Sequence, residues 1–516
     1  MPPTLPAEFA ATPIPTFAFA VRLGVGPAAA PPTGMKIMLL ASKTSAGTAT
    51  DHIPVEVFDT TDAESKFGAR SRLAALCRAV RLIAPRGRLF ACPVADPAGT
   101  AATAILTFAG PSTAAGVVRL RVAGRLLREV VIPSGTSATA AAALVLAAVA
   151  EVSELPCTGA VGGTGNEHIL TLTASNTGET GNQLRVVFEV TATGITISLN
   201  GVTAAVRGKG YFGAGSATAG VGAVNLTSAL TAIAGARYHR IVADVDDDTN
   251  RGRLKAHLVS QSSINVGRRC MGVVASLNDT LSTVQGDATG QNEPRLVLVY
   301  NRKSHNPAGE LAAAFAAAKV YGNGGLPGEE QYRAIKHNGL SLYPAILATD
   351  EEERLSTTET DSLLRAGVTP LAVDNLNPGY AAVVRPVTTR TQNAQGGTSY
   401  LVADTSKVAV ADEVADRCEA WAAANYADKN LVPDPATIEQ APSSPYVTWP
   451  AAVRDDILGL LRQMENEFLI VNVAQYASQV TVEQTTIDGV TYLVCRVPFA
   501  VIPHLHSVVG EAQQVA

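Results

Sequence analysis

The chain has 516 residues, which is too long for one ordinary core and predicts two to four domains of ~100–200 residues each. Apolar residues make up 47% of it and charged residues 16%, so it can bury a large core, and partners are expected to cover much of its surface. The formal net charge of -5 excludes the general basic footprint of a non-specific nucleic-acid binder.

The sequence predicts neither a membrane span nor a secretory signal. Its longest apolar stretches, 138–150 and 311–320, are rich in alanine and shorter than the ~20 residues that cross a bilayer, so we predict no transmembrane helix. The N-terminus lacks the basic start and the apolar block of a secretory signal. Synthesis in a cytoplasm is the simplest interpretation.

Six cysteines are scattered along the chain with no C-x-x-C pair, so neither a zinc cluster nor a compact disulfide scaffold is indicated. The simpler interpretation is buried free thiols. The alternative is cross-links between subunits, formed in an oxidising medium after release. The candidates for such disulfides are Cys77, Cys92, Cys157, Cys270, Cys418 and Cys495.

The first ~30 residues are rich in proline, which favours an extended segment that packs poorly on itself. Within it Phe17, Phe19, Val21 and Leu23 alternate at the period of a strand, with no partner strand next to them in sequence. An unpaired strand exposes free N–H and C=O groups and can pair with another chain. This pattern predicts an assembly protein.

Residues 35–94 predict one β-α-β unit. A strand at 35–41 is followed by a helix that Asp62 could cap, and then by a strand at 89–94. The helix would direct its apolar face toward a core; that face comprises Phe67, Leu73, Leu76, Val80 and Ile83.

Residues 96–207 alternate apolar and polar side chains between glycine-rich turns, which predicts a β-sandwich crossed by an alanine-rich helix near 138–150. After a glycine-heavy joint at 208–222, strands and helices alternate. This alternation predicts a mainly parallel sheet with both faces covered. From about 371 the chain mixes strands with helices at 408–425 and 451–467, and it ends on a hairpin signal at Asp488-Gly489.

Two motifs resemble ligand sites but fail on their spacing. DVDDDTN (244–250) begins like an EF-hand loop, yet Thr249 stands where the turn needs glycine and Lys255 where a bidentate glutamate should close the shell. We predict a solvated strand-to-helix turn with N-cap residues. GKGYFG (208–213) satisfies G-x-G-x-x-G, but no helix follows, so an interdomain joint is favoured.

No catalytic, cofactor or metal residues are predicted. There is no G-x-S-x-G elbow, and the eight histidines are dispersed. The acidic run 351–353 is interpreted as a solvated helix start. The stretch RPVTTRTQNAQGGTSYLVADT (385–405) looks like a phosphate-binding loop, but its threonines suit a strand, and Asn393 with Gly396-Gly397 suits a turn.

Several phrases in order resemble the tail sheath proteins of contractile-tailed bacteriophages, particularly the Mu-like branch. They include FGARSRLAALCRAV (67–80), AGPSTAAGVVRLRVAG (109–124), RIVADVDDDTNRGRLKAHL (240–258) and the 385–405 stretch. The order and spacing of the phrases along the chain carry the resemblance. Arg390, Gly396-Gly397-Thr398 and the final strand depart from the family pattern.

The resemblance implies an α/β and α+β multidomain fold, with extended N- and C-terminal arms and a subtilisin-like α/β sheath domain that has no catalytic triad. Its expected parts are an N-terminal arm (1–30), a β-α-β part of the sheath core (31–95), an inserted outer β-sandwich (96–207), the subtilisin-like domain (208–370) and a C-terminal α+β domain with its arm (371–516).

The resemblance also implies a structural machine rather than an enzyme. Sheath subunits stack as hexameric rings around the tail tube and contract to drive the tube through the host envelope, delivering the genome. The expected partners are other copies of the chain, joined by strand exchange, and the tail tube, baseplate and tail terminator proteins. No cofactor, nucleic acid or membrane insertion is expected. The location would be the virion, assembled in the host bacterial cytoplasm.

On this resemblance, particular residues acquire expected roles. Phe17, Phe19 and Val21 are expected in a donated N-terminal strand. A C-terminal strand in the same mesh of subunits is expected to contain Tyr492, Val494 and Arg496. Arg385 and Arg390 become candidate contacts with the tube or a neighbouring subunit.

Three other interpretations remain open. The first is the sheath of a phage-derived particle, such as a bacteriocin or a secretion-type injector. The second is a hydrolase, which would require Asp, His and Ser to converge in a subtilisin-like domain. The third is a capsid or tail-tube protein, although such chains are usually shorter and lack the sandwich.

Overall fold

The structure is a computed structural model that describes residues 35–502, with gaps at 205, 264–265, 322–337, 394, 401–402, 427, 436–443 and 488–489. The side chains of 485–492 also fall outside the description. No helix among the described residues is long and apolar enough to cross a membrane. The predicted N-terminal strand at Phe17, Phe19 and Val21 lies outside the described residues.

The predicted β-α-β unit is confirmed, but its helix is two helices. The elements are β1 (Lys36–Ser42), β2 (Val55–Val57), α1 (Thr60–Phe67), α2 (Arg72–Ile83) and β3 (Arg88–Val94). Strands β1 and β3 are parallel. All five predicted apolar side chains of the helical region are at most 2% exposed.

Gly68 separates the two helices. It has φ +86, and a Cβ there would lie 2.0 Å from Thr44 Oγ1, so the chain turns where only glycine fits. The predicted cap was wrong by three residues. Asp59 caps α1 by accepting the backbone N–H of Asp62 at 2.7 Å, whereas Asp62 accepts the N–H of Phe58.

Residues 103–211 form two five-stranded antiparallel sheets around one apolar cluster. The first sheet contains β5 (Gly116–Val122), β6 (Arg125–Leu126), β7 (Val130–Ile132), β10 (Arg185–Val190) and β13 (Arg207–Tyr211). The second contains β4 (Thr103–Ala109), β8 (Cys157–Val161), β9 (Ile169–Ala174), β11 (Thr196–Leu199) and β12 (Val202–Ala204). The predicted alanine-rich helix is α3 (Ala138–Glu151), which packs on the second sheet.

The predicted joint at Gly208 is wrong, because β13 pairs with β10 from Arg185↔Tyr211 to Glu189↔Arg207. A Cβ at Gly208 would lie 2.4 Å from the ring of Phe188. The glycine therefore permits close approach of a strand to a buried ring.

A nine-stranded sheet runs through the middle of the molecule in the order β17-β19-β18-β16-β15-β14-β1-β3-β2. Its remaining strands are β14 (Arg240–Ala243), β15 (Met271–Ser276), β16 (Leu296–Tyr300), β17 (Leu340–Ser341), β18 (Val368–Val373) and β19 (Ala381–Val383). The six strands from β18 to β3 are parallel. Helices on its two sides are α4 (Thr227–Ile233), α5 (Asp248–Gln261), α6 (Leu281–Gln291), α7 (Ala308–Tyr321) and α8 (Thr357–Arg365).

Two apolar clusters lie on the two faces of this sheet, so the predicted parallel sheet with both faces covered is confirmed. Every residue of α7 is buried, because this helix fills the space between the sheet and α2. The mixed α/β class and the presence of several sheets are confirmed. The subtilisin-like assignment and the domain boundaries remain predictions.

The C-terminal part has an apolar cluster of its own. Its helices are α9 (Thr405–Tyr426), α10 (Pro450–Asn466) and α11 (Val473–Tyr476). Its strands are β20 (Asn430–Leu431), β21 (Val447–Thr448), β22 (Ile470–Val471), β23 (Thr481–Ile487), β24 (Val490–Arg496) and β25 (Ala500–Val501). Both predicted helices and the predicted hairpin strands are confirmed, because β23 and β24 pair antiparallel from Thr481↔Arg496 to Ile487↔Val490. The predicted turn residues Asp488-Gly489 lie outside the described residues.

Candidate functional site

A buried ion pair joins α2 to the end of β14. Arg72 donates from Nε to Asp244 Oδ2 at 2.8 Å and from Nη2 to Asp244 Oδ1 at 2.7 Å, and both side chains are at most 4% exposed. Asn176, from the two-sheet part, accepts the backbone N–H of Arg72. Because a charge buried this deeply needs a partner, the pair fixes α2 against the sheet.

The acidic run at 244–250 is therefore only partly the solvated turn that the sequence predicts. Asp247 does cap α5, accepting the N–H of Asn250 at 2.8 Å. Asp244 is buried, however, and burial raises the pKa of Asp246 to about 7 despite the charge of Arg251. No group of three or more His, Cys, Asp or Glu side chains in the described residues could hold a metal ion.

A second group of charges joins the two-sheet part to the loop before α8. Arg185 is 2% exposed and contacts Asp350 at 3.0 Å and Glu353 at 2.7 Å. Lys209 from β13 contacts Glu353 at 2.7 Å. Burial opposes ionisation of Asp350, but His305 and Arg185 outweigh it and lower its pKa.

The interpretation of 351–353 as a solvated helix start is thus wrong for Glu353, which is buried. The run forms a single 3-10 turn, Glu351–Glu353. Glu352 and Glu353 contact basic residues of β10 and β13, and these ion pairs offset the cost of burying a carboxylate. Another ion pair between the two-sheet part and the central part joins Arg125 of β6 to the buried Glu310 of α7 at 2.9 Å.

The 385–405 stretch is not arranged as a phosphate loop. Thr389 is fully buried, and its hydroxyl donates to the carbonyl of Glu293 at 3.0 Å and accepts the N–H of Glu293 at 2.9 Å. The predicted turn is confirmed, because the Asn393 side chain accepts the N–H of Gln395 and of Gly397. The predicted strand is reduced to two isolated bridges, Val387↔Asp404 and Gln392↔Thr398.

The two arginines of this stretch differ in their surroundings. Arg385 donates from Nε to Asp404 at 2.9 Å and is about one third exposed. Arg390 is half-buried. Their proposed contacts with a tube or a neighbouring subunit remain predictions.

Helix α9 is joined to the central sheet by a row of ion pairs that sequence reasoning missed. Asp412, Asp416 and Glu419 recur at the spacing of one helix face, and arginines at the amino ends of three strands contact them. Arg295 forms a bidentate pair with Asp412 at 2.7 and 2.8 Å, while Arg269 contacts both Asp416 and Glu419. In the sequence, the i, i+4, i+7 spacing of these three acidic residues could have indicated that one face of α9 is acidic.

Strand β2 and the β23–β24 hairpin, which both lie at sheet edges, differ in how their backbone groups are satisfied. In β2, at one edge of the central sheet, Lys66 donates to the carbonyl of Glu56 at 2.7 Å and Arg81 donates to the carbonyl of Val57, so side chains already satisfy these two carbonyls. The β23–β24 hairpin has no further strand on either edge among the described residues. Val494 is 42% exposed and Arg496 is exposed on β24, whereas the side chain of Tyr492 lies outside the description.

The cysteines divide into two groups. Cys77, Cys92, Cys157 and Cys270 are buried, and burial raises the pKa of each, which fits the simpler interpretation of inert thiols. Cys418 is half-buried and Cys495 is exposed. Disulfides between subunits remain a prediction.

Taken together, these features define a multidomain mixed α/β protein whose buried charges join its parts. No family model matches the chain. The chain is 24% identical over 468 residues to the Mu-like prophage FluMu tail sheath protein of Haemophilus influenzae, an alignment that covers 88% of this chain and 88% of that protein. The sequence resemblance to phage tail sheath proteins is thereby confirmed.

Two solved sheath tail proteins were also found in comparison with known structures. That of Desulfitobacterium hafniense aligns with a TM-score of 0.45 at 13% identity, covering 94% of this chain and 100% of its own. That of Listeria innocua aligns with a TM-score of 0.42 at 12% identity, covering 90% and 94%.

Proposed function

We propose that this chain is the subunit of a contractile phage tail sheath, a structural protein of the virion. Copies would stack as hexameric rings around a tail tube and contract to drive the tube through the host envelope during genome delivery. The observation that carries the proposal is the similarity to the Haemophilus influenzae tail sheath protein along 88% of the chain. Catalysis has no part in it.

The hairpin supports strand exchange as the means of linking subunits. Its outer edges carry backbone groups that can pair with an added strand, and each such hydrogen bond contributes ~0.5–1.5 kcal/mol net. In β2, at an edge of the central sheet, the carbonyls of Glu56 and Val57 by contrast already accept hydrogen bonds from Lys66 and Arg81. We therefore assign the acceptor role to β23–β24 and the donor role to the segment with Phe17, Phe19 and Val21.

The remaining partners follow from the same role. The tail tube would lie inside the rings, and the baseplate and tail terminator proteins would lie at their ends. Arg385 and Arg390 are proposed contacts with the tube or a neighbouring subunit. Assembly would take place in the host cytoplasm.

Negative-stain microscopy of the purified full chain tests this function. We expect long hollow tubes from the full chain and folded, unpolymerised subunits after deletion of residues 1–24. Circular dichroism establishes that the truncated chain is folded. Normal tubes from the truncated chain would refute the donor assignment, and the absence of tubes from the full chain, alone or with its tube protein, would refute the proposed function.

A further inference from the structure

Two cysteines lie on elements that pack around the same apolar cluster of the C-terminal part. Cys418 is on α9, where it packs half-buried against the apolar cluster of this part. Cys495 is on β24, directly opposite Val482 of β23. Helix α9 also contacts β25, the strand that follows the hairpin.

The pleat of the hairpin sets the direction of Cys495. Side chains two residues apart on a strand, and those directly opposite on its partner, share one face of a sheet. Leu493 and Val497 are two residues from Cys495, Val482 is opposite it, and all three pack against the same cluster as Cys418. Cys495 therefore faces the layer that holds Cys418.

We propose that Cys418 and Cys495 form an intrachain disulfide that tethers the hairpin to α9 when the chain meets an oxidising medium. Both thiols are reachable by an oxidant, unlike the four buried ones. The proposal rests on contacts within one chain and does not depend on the assembly role. A disulfide requires Cα atoms ~4.4–6.8 Å apart, so its formation also measures how closely β24 approaches α9.

The oxidant can be a small dialkyl disulfide such as oxidised glutathione. The exposed Cys495 thiolate attacks one of its sulfurs, which forms a mixed disulfide and releases one glutathione thiolate. The Cys418 thiolate then attacks the Cys495 sulfur and displaces the second glutathione thiolate. The two electrons lost by the cysteines reduce oxidised glutathione to two glutathiones, which take up the two thiol protons.

The protonation of the two thiols affects the rate. Burial raises the pKa of Cys495. Burial, then the charges of Cys495 and Glu419, raise the pKa of Cys418, and Arg269 opposes this. Because the thiolate is the nucleophile, the exchange should be slow at neutral pH and faster above about pH 8.5.

The test uses the full reduced chain, treated with oxidised glutathione at about pH 8.5 and then denatured and alkylated. Peptide mapping without reduction should show Cys418 joined to Cys495 in a monomeric chain, with the other four cysteines alkylated. Cys418→Ser and Cys495→Ser should each abolish this link, and Cys157→Ser should keep it. Dibromobimane, which fluoresces after bridging two thiols, should give fluorescence on the reduced native chain and on neither of the first two variants.

Each other result would overturn the proposal. A dimer linked through Cys495 would instead support disulfides between subunits. A stable glutathione adduct on Cys495 with free Cys418, or no loss of either thiol, would show that the two sulfurs do not meet.

Discussion

Asp244 and Asp246 belong to one acidic run, yet their environments differ. Asp244 faces the Arg72 guanidinium and is 4% exposed, so its charge is matched inside the protein. Asp246 shares Arg251 with Asp248 and Asp287, and burial outweighs that partner in setting its pKa. At the scale of single residues, burial and the counterion that the fold places beside a carboxylate together set its electrostatic environment.

The first prediction concerns the buried pair. Asp244→Asn removes the carboxylate that bonds to the buried Arg72 and leaves Glu310 as a charge that, against the effect of burial, still raises its pKa, and we expect a loss of ~3 kcal/mol in unfolding free energy. Asp361→Asn is the matched control, because Asp361 pairs with Arg365 at 2.7 Å on an exposed surface of α8. That change should cost at most ~1 kcal/mol. Urea unfolding followed by circular dichroism measures both, and equal losses would contradict the assignment.

The second prediction concerns pH. An unfolded aspartate has a pKa of ~3.9, whereas burial raises that of Asp246 to about 7, so the folded chain binds more protons between these values. The stability contributed by this group is complete below ~3.9 and is lost as pH rises toward about 7. Asp246→Asn should therefore gain stability relative to the native chain as pH rises from 5 to ~8. A constant difference across this window in thermal unfolding would refute the assignment.

At the scale of elements, periodicity predicted most helices and strands, because apolar spacing reports which face is buried. The strands β14, β15 and β16 and the helix α7 follow instead from unbroken apolar runs, because every residue of these elements is buried. The break at Gly68 and the strand through Gly208 did not follow, because each depends on a distant atom: Thr44 Oγ1 for one and the ring of Phe188 for the other. The same reason explains why the partners of Asp412 and Asp416 were missed.

The row of ion pairs between α9 and the sheet gives the third prediction. Asp412→Asn combined with Asp416→Asn leaves Arg295, Arg237 and Arg269 without these counterions. Amides of α9 and of the amino ends of β14–β16 should then exchange hydrogen faster. Glu413→Gln on the same helix, which removes only a pair with Arg417, should leave the amino ends unchanged.

High salt supplies the second arm of that experiment. The pairs are partly exposed, so screening at ~1 M salt should speed exchange in the native chain toward that of the double variant. Salt-independent exchange, or equal effects from Glu413→Gln, would show that apolar packing rather than the ion pairs holds α9.

At the scale of the whole molecule, ion pairs and a hydrogen bond join the two-sheet part to the central sheet and its helices. Arg185, Arg125 and Asn176 reach across, and Glu353 and Glu310 receive the two arginines. The sequence predicted these parts but not their mode of attachment, because each ion pair joins residues that are far apart in sequence. The predicted inserted module, residues 96–207, is expected to face outward and carry little of the contraction interface.

The fourth prediction therefore concerns this module. Its removal uncovers buried carboxylates, so the deletion should be made together with Glu310→Gln and Glu353→Gln. The deletion should run from 96 to 222, because β13 and the segment up to Gly222 bond to the two-sheet part. We expect the remainder to fold and still form tubes in negative stain, with thinner walls. The same two substitutions in the full chain serve as the control. A folded remainder that fails to polymerise would place the module in the assembly interface.

The most direct test of the central claim is cryo-electron microscopy of tubes formed by the full chain with the tail tube protein of the same phage. We predict stacked rings with sixfold symmetry around the tube, with the β23–β24 hairpin extended by strands from neighbouring subunits. Tubes of another symmetry, a closed shell, or a hairpin whose edges face solvent in the assembled particle would contradict this account.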